Sequence, residues 1–405
     1  MKIFLAALLL ILEVAVLSVL FFDPSVAPIR DFLASVFFTD SVTEESLNEI
    51  YQKARREEDK IKILIVPGHD SMFWGTDFRG VKEADLTLKL GEELFRLFQG
   101  DAVFDVAISR TAAGYDRALA EFFEEKKDEI REFMNTQREL MKRHMDLGEI
   151  SSNVIVQHNN APGEMRLKLY GINKWANDNG IDILIHVHFN DYAGRSRSLP
   201  GRYSGFSIYV PERQYSNAKG SQALAASIFN RLAEFYASSD LPKEDAGVVE
   251  DQELIAVGAN NTLDGAVALV EYGYIYEPLV QGEKTREVAI SDLALKTYLG
   301  VTDLFKSGGK REDGAFETKF LPYQWERNVS RGARADLDVA ALQAALILEG
   351  VYPPGNVSKN DCPLSGNFGS CTERALKDLQ TRYELSPTGR LDGNTRAKLN
   401  ELYGL

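Results

Sequence analysis

The 405-residue sequence predicts an α/β fold with a mostly parallel sheet and helices on both faces. Strand-like runs recur at IKILIVP, FDVAIS, DILIHVHFN, GFSIYV and AVALVEYG, and helical stretches such as ADLTLKLGEELFRLF, SQALAASIFNRLAEFYAS and ISDLALKTYLGVTDLF separate most of them. Strands that alternate with helices imply parallel pairing. The runs are apolar almost throughout rather than alternating, as strands covered on both faces must be.

The N-terminus opens with Met1-Lys2 and then twenty residues, Ile3 to Phe22, interrupted only by Glu13. That length matches the roughly 20 residues a helix needs to cross a bilayer core, so residues 1–27 are expected to be a transmembrane anchor, with Lys2 favouring a cytoplasmic N-terminus. A cleaved signal is the alternative, although its best site, Ser25-Val26-Ala27, is followed at once by Pro28. Both expectations put everything after residue 28 outside the cytoplasm, either as a single-pass membrane protein or as a secreted one. Residues 28–60 mix short apolar groups with charge and read as a stalk or linker.

The α/β unit is expected over residues 61–306. Within it, residues 115–147 form a long helical insertion between the second strand and the HVHFN strand, with apolar groups at Leu119, Phe123, Ile130, Phe133, Met134, Leu140 and Met141. Residues 307–334 lose periodicity and read as a linker. A compact helical unit follows over residues 335–405.

Acidic residues outnumber basic ones, 60 against 46, and the net charge of -14 argues against nucleic acid or anionic lipid as the main partner. Only two cysteines occur, Cys362 and Cys371, with no CxxC and no neighbouring His, so they do not form a zinc site. An exported chain tolerates a disulfide between them, worth about 2–3 kcal/mol for so short a loop. Two free thiols are the other reading.

The chemistry gathers at strand ends. His69 follows a strand and a Pro-Gly turn, Glu83 stands where a helix begins, His188 lies near the end of IHVHFN, and Glu271 ends AVALVE. In a parallel sheet these positions share one edge and can converge. Two imidazoles and a carboxylate make a common catalytic zinc set with one open position, and a further carboxylate serves proton transfer. Each residue also has an ordinary structural explanation: a hydrogen-bonded His, a first-turn acid favoured by the helix dipole, or a partner for an Arg.

The pattern PGH, a Glu fourteen residues later, HxN at a strand end, then LVEYG resembles the zinc-dependent N-acetylmuramoyl-L-alanine amidases, more narrowly the amidase 3 family that cleaves bacterial cell walls. The SRT at Ser109 to Thr111 also fits. The resemblance covers roughly residues 61 to 306 and implies an amidase 3-like fold, Zn2+ as cofactor, His69, Glu83 and His188 as ligands, and Glu271 as the catalytic carboxylate. Arg110, His186 and Asn190 would contact substrate or support the ligands. Two departures stand out: Asp70-Ser71 where the family usually has Gly-Gly, and His186 where it usually has Ser.

The C-terminal unit, with DLDVAALQAALILEGVYP and SGNFGSCTERALKDLQTRYELSPTGRLDGNTRAKLNEL, is similar to the type 1 peptidoglycan-binding domain, a three-helix module. Here Ser365 replaces the usual Asp and the cysteines bracket the turn. Together the resemblances imply a bacterial, membrane-anchored hydrolase with both domains outside the cytoplasm, acting on peptidoglycan at the amide between N-acetylmuramic acid and L-alanine. The rivals are a zinc peptidase cutting within the stem peptide and a silent wall-binding scaffold. Some amidases of this kind carry an inserted helix that covers the zinc until a protein activator displaces it, and Glu124, Glu125, Glu132 and Glu139 would be candidates to occupy the metal.

Overall fold

The computed structural model describes residues 40–152, 161–192, 194–258, 261–305 and 316–404. Its centre is a six-stranded sheet in the order β4-β1-β7-β10-β8-β9, formed by β1 (Ile61–Pro67), β4 (Phe104–Ile108), β7 (Ile183–Asn190), β8 (Ser207–Pro211), β9 (Val248–Asp251) and β10 (Ala266–Tyr274). Two short ribbons, β2–β3 (Asp77–Phe78 with Val81–Lys82) and β5–β6 (Arg110–Thr111 with Gly114–Tyr115), sit in the loops beyond β1 and β4.

The expected mostly parallel sheet is corrected to a mixed one. Strands β4, β1, β7 and β10 pair in parallel, but β8 runs antiparallel to β10 and carries β9 with it. The reason lies in the connection from β7 to β8, residues 191–206, which holds no helix among its described residues. A parallel return requires a crossover, usually helical. Without one, β8 descends. The run GFSIYV carries no mark of direction, so residue pattern alone does not reveal the reversal.

One face of the sheet packs against helices α2 (Glu83–Gln99), α6 (Ala218–Phe235) and α8 (Glu283–Phe305). Ile63, Ile65, Ile185, Val187 and Val270 meet Leu90, Leu224 and Leu293 in the main core. The opposite face packs against α5 (Gly163–Asp178), where Leu64, Val66, Leu184, Val267 and Leu269 meet Ile172 and Ala176. This two-sided burial explains the apolar runs.

The stalk expected over residues 28–60 is in part built into this core. Glu44–Arg55 form α1, whose N-terminus is closed by a capping box in which the Thr43 and Ser46 side chains each bond the other's backbone N–H. Val42, Leu47, Tyr51 and Ala54 belong to the main core, and Tyr51 stacks on Phe305 at 4.8 Å.

The single-pass anchor, and the membrane localisation and membrane partner that depended on it, are also corrected. Among the described residues no helix is long and apolar enough to cross a membrane. The 23-residue α8 has the length, but it carries Glu283, Lys284, Arg286, Glu287, Asp292, Lys296 and Asp303. Residues 1–27, on which both the anchor and the cleaved signal were placed, lie outside the described residues.

The insertion at 115–147 is two helices, α3 (Arg117–Glu125) and α4 (Lys127–Asp146), broken at Lys126. Both pack on α5, where Phe123 lies over Gly171 and Phe133 meets Tyr170 edge-on, and Leu119 of α3 joins the core beside β1.

Three helices form the C-terminal module: α9 (Leu337–Leu348), α10 (Ser370–Arg382) and α11 (Gly393–Tyr403). Cys362 and Cys371 are joined as a disulfide with Cα atoms 5.8 Å apart. The module is not free of the α/β unit, because Phe235, Leu279 and Ala289 share its apolar core with Leu342, Leu376 and Leu399. Asn360 donates to the Ser238 carbonyl at 2.7 Å, and Asp292 of α8 accepts from Thr318 Oγ1 and the Lys319 N–H, each at 2.6 Å.

Glu349, at the C-terminus of α9, ties the module together. It accepts from Tyr403 at 2.7 Å, Tyr383 at 2.9 Å and Arg382 at 3.0 Å. Burial alone would raise its carboxyl, but these three bonds outweigh burial and hold it below the usual range. A lowered acid contributes stability that is present above the unfolded pKa and lost as pH falls through the folded one. Glu349→Ala is therefore expected to cost about 1–3 kcal/mol at pH 7. In urea melts the gap to wild type should narrow as pH falls below the ordinary carboxylate range and through the lowered folded value. A gap independent of pH would show that Glu349 acts by packing alone.

Candidate metal centre

The site lies at the C-terminal edge of β1, β7 and β10, on the α5 face. Strand β1 ends at Pro67 and the chain turns through Gly68 to His69, whose φ of 62° is a left-handed value that a β-carbon makes costly. Glu83 is the first residue of α2. His188 lies near the end of β7, and Glu271 stands directly across from it in register on β10. Residues paired on neighbouring parallel strands share a face, so these two side chains point the same way.

His69, Glu83 and His188 converge, with one ligand atom from each lying within 4.8 Å of the others. Glu83 Oε1 is 3.2 Å from His69 Nε2 and 3.1 Å from His188 Nδ1, and it also accepts the Phe189 N–H at 3.2 Å. Oε2 accepts the Thr76 N–H at 3.0 Å. Burial works against this carboxylate, but the bonds from His188 and His69 prevail and hold it well below the ordinary range. It is thus ionised, as a ligand must be.

Two glycines make room for the cluster. A β-carbon on Gly68 would stand 2.3 Å from His188 Cε1, and one on Gly75, which has φ of +72°, would stand 2.3 Å from Glu83 Oε2. Arg110 is 5% exposed and spends its guanidinium on the turn itself: Nε donates to the Pro67 carbonyl at 3.1 Å, and Nη2 to the carbonyls of Gly68 at 2.9 Å and Ala84 at 2.8 Å. It thereby links the His69 turn to the start of α2.

Glu271 Oε2 is buried and has no hydrogen-bond partner among the described residues. Burial, with the charges of Glu83 and Glu244 adding to it, pushes this carboxyl well above the usual range. His186 lies two residues before His188 on the same face, is 2% exposed, and does not join the three converging donors. Burial pushes its imidazole down to about 3, so it is neutral. Asn190 donates to Glu244 Oε1 at 3.2 Å and accepts the Asp191 N–H at 2.8 Å. Glu124, Glu125, Glu132 and Glu139 are all exposed on the α3–α4 pair, and none joins the cluster.

Sequence reasoning missed Thr76, whose contribution is a backbone N–H that no side-chain pattern advertises. It also missed Glu244, which ends no strand and becomes visible only through Tyr209, Asn190 and Glu271.

Two imidazoles and an ionised carboxylate form a group that could hold a metal ion, and a second acid with an unused oxygen stands beside them at the sheet edge, the arrangement of groups a hydrolase can use. The chain belongs to the N-acetylmuramoyl-L-alanine amidase family, whose model matches residues 63–302. A peptidoglycan binding domain matches residues 336–399. Among solved structures, the chain is similar to an N-acetylmuramoyl-L-alanine amidase from Clostridium difficile 630, with 17% identity, 62% of this chain and 99% of that one covered, and a TM-score of 0.38. It is similar at 14% identity to the Mycobacterium smegmatis amidase, covering 62% of this chain and 100% of that one at a TM-score of 0.38. The same identity and coverage hold for the CwlD amidase of Clostridioides difficile, solved in complex with the GerS lipoprotein, at a TM-score of 0.40. Curated proteins give no match.

Proposed function

We propose that the chain is a zinc-dependent hydrolase of the amide joining the lactyl group of N-acetylmuramic acid to L-alanine in peptidoglycan. The convergence of His69, Glu83 and His188 opposite the unpartnered oxygen of Glu271 carries this reading. The donor set suits zinc: two borderline nitrogen ligands and one carboxylate, in a cradle that tolerates no β-carbon at Gly68 or Gly75. When bound, zinc supplies an activated water and a Lewis acid for the amide carbonyl.

The chain's own residues do the rest. Phe189 N–H and Thr76 N–H hold Glu83 in its ionised, inward orientation, and Arg110 fixes the turn that aims His69. Glu271 accepts the proton of the attacking water and returns it to the leaving amine of L-alanine. Its raised affinity for a proton suits an acid that must hold one between the two steps. The C-terminal module keeps the enzyme on its polymer, which raises local substrate concentration, and a wall substrate puts both units outside the cytoplasm.

The test is digestion of purified peptidoglycan by the full chain, followed by mass analysis. Expected products are intact stem peptides with a free L-alanine amine, lost on chelation and restored by added zinc. Cuts within the stem peptide would instead identify a peptidase, and no products at all, with no bound metal, a wall-binding scaffold.

A further inference from the structure

A cavity of about 580 Å³, with His69 and His188 of the candidate metal centre in its wall, opens between the sheet edge and α5, a size typical of small-ligand sites. Among the described residues no Asp, Glu, Lys or Arg lines it. Its walls are Val66, Met165, Leu169, Ile172 and Leu254, with the aromatic rings of Phe73, Trp74 and Tyr115 near the His69 turn. Two of its lining residues, His186 and Ser109, are each only 2% exposed, yet His186 Nε2 and Ser109 Oγ find no hydrogen-bond partner among the described residues. A buried polar atom without a partner is unfavourable, and two in one cavity call for a ligand that satisfies them.

Across the His69–Gly75 turn lies a second cavity, of about 380 Å³, of opposite character. Asp70, Lys82, Asp85, Arg110 and Lys168 line it. The two cavities therefore divide a substrate by charge. A stem peptide carries free carboxylates, which Lys82 and Lys168 of the second cavity can pair with and for which the first offers no cationic side chain among the described residues. The sugar on the other side of the scissile amide has no charge in its ring or its acetamido group.

Resting on the amidase reading above, we infer that the uncharged cavity takes the N-acetylated hexosamine that bears the lactyl group, with His186 and Ser109 recognising its acetamido group. The acetamido carbonyl and N–H match one donor and one acceptor at the buried end, and its methyl meets Val66 and Ile172. The pyranose ring lies against the aromatic residues at the mouth. The stem peptide then leaves towards Lys82 and Lys168. His186 and Ser109 are specificity residues under this assignment and take no part in the proton transfers.

The experiment compares hydrolysis of N-acetylmuramoyl-L-alanyl-D-isoglutamine with that of its de-N-acetylated counterpart by the zinc-loaded full chain. Wild type should favour the acetylated substrate by about 10-fold or more in kcat/KM, the worth of one satisfied buried hydrogen bond. His186→Leu, close to the imidazole in bulk, should collapse that ratio towards one, and His186→Gln, which keeps a hydrogen-bonding group, should restore part of it. Metal content and thermal midpoint exclude a merely unfolded variant. Saturation-transfer NMR on Glu271→Gln protein should place the acetyl methyl of N-acetylmuramic acid closest to the protein, and His186→Leu should weaken that signal. Equal rates on both substrates, or equal loss on both in His186→Leu, would overturn the assignment. Saturation of the acetyl methyl without hydrolysis of either substrate would support the subsite and sink the amidase reading instead.

Discussion

Glu271→Gln is expected to lower kcat by about 10²–10⁴-fold, the range a positioned general acid–base contributes, while bound metal stays at the wild-type level. The separation follows from geometry. The three converging donors are complete without Glu271, whose Oε2 has no partner to lose among the described residues. The replacement is nearly isosteric and removes only the capacity to take and return a proton. KM should change little, since Glu271 binds no part of the resting substrate under this mechanism. Metal content by plasma emission and single-turnover rates on a soluble muropeptide check both halves. Near-normal turnover would mean that another group carries the proton.

The second large effect is expected at a residue that carries no functional group. Gly68→Ala places a β-carbon 2.3 Å from His188 Cε1 and 2.4 Å from Nε2, so the imidazole must swing out of the cluster. Backbone cannot easily yield instead, because Arg110 pins the Gly68 carbonyl and Thr87 Oγ1 donates to it at 2.7 Å. Zinc affinity should fall by more than the 10–100-fold typical of losing an outer support, and activity should fall with it at limiting metal. Excess zinc should restore part of the activity, which distinguishes displacement of a ligand from loss of fold. A competition titration with a chromophoric chelator measures the affinity. Wild-type affinity in a folded Gly68→Ala protein would contradict the packing described here.

These two residues also show what a sequence conveys and what it withholds. Glu271 and His188 were legible because a buried strand must be apolar, so a polar residue at its end interrupts a clear pattern. His69 and Glu83 stood out for the same reason, one just beyond a strand and the other at the start of a helix. Gly68 was visible as part of PGH, but its purpose was not, because the reason is an imidazole 120 positions later in the chain. The antiparallel β8 was illegible because direction is set by the length and route of a connection, not by a strand's composition. Residues 44–55 looked like a stalk because their polar residues dominate by count, while Leu47, Ile50, Tyr51 and Ala54 pack on the core. The Glu residues of 115–147 looked able to reach a metal because chain position suggested proximity. In fact α3 and α4 pack on α5, with Leu119 reaching the sheet core, and their Glu side chains stay exposed and outside the cluster.

The docking of the C-terminal module bears on how the enzyme would traverse a wall. A binding domain on a loose tether lets its catalytic partner sweep a shell of radius set by the tether, cutting wherever a susceptible bond enters that shell. Here Phe235, Leu279 and Ala289 are buried in the module's core, and Asn360 and Asp292 bridge the junction. Gripping and cutting are therefore separated by a fixed stride rather than a fluctuating reach. Once the module holds a strand, only bonds at one offset and one azimuth come into register with the catalytic edge. Such an enzyme would behave as a caliper, and the stem peptides it removes along a held strand would be those at the offset set by its own two ends.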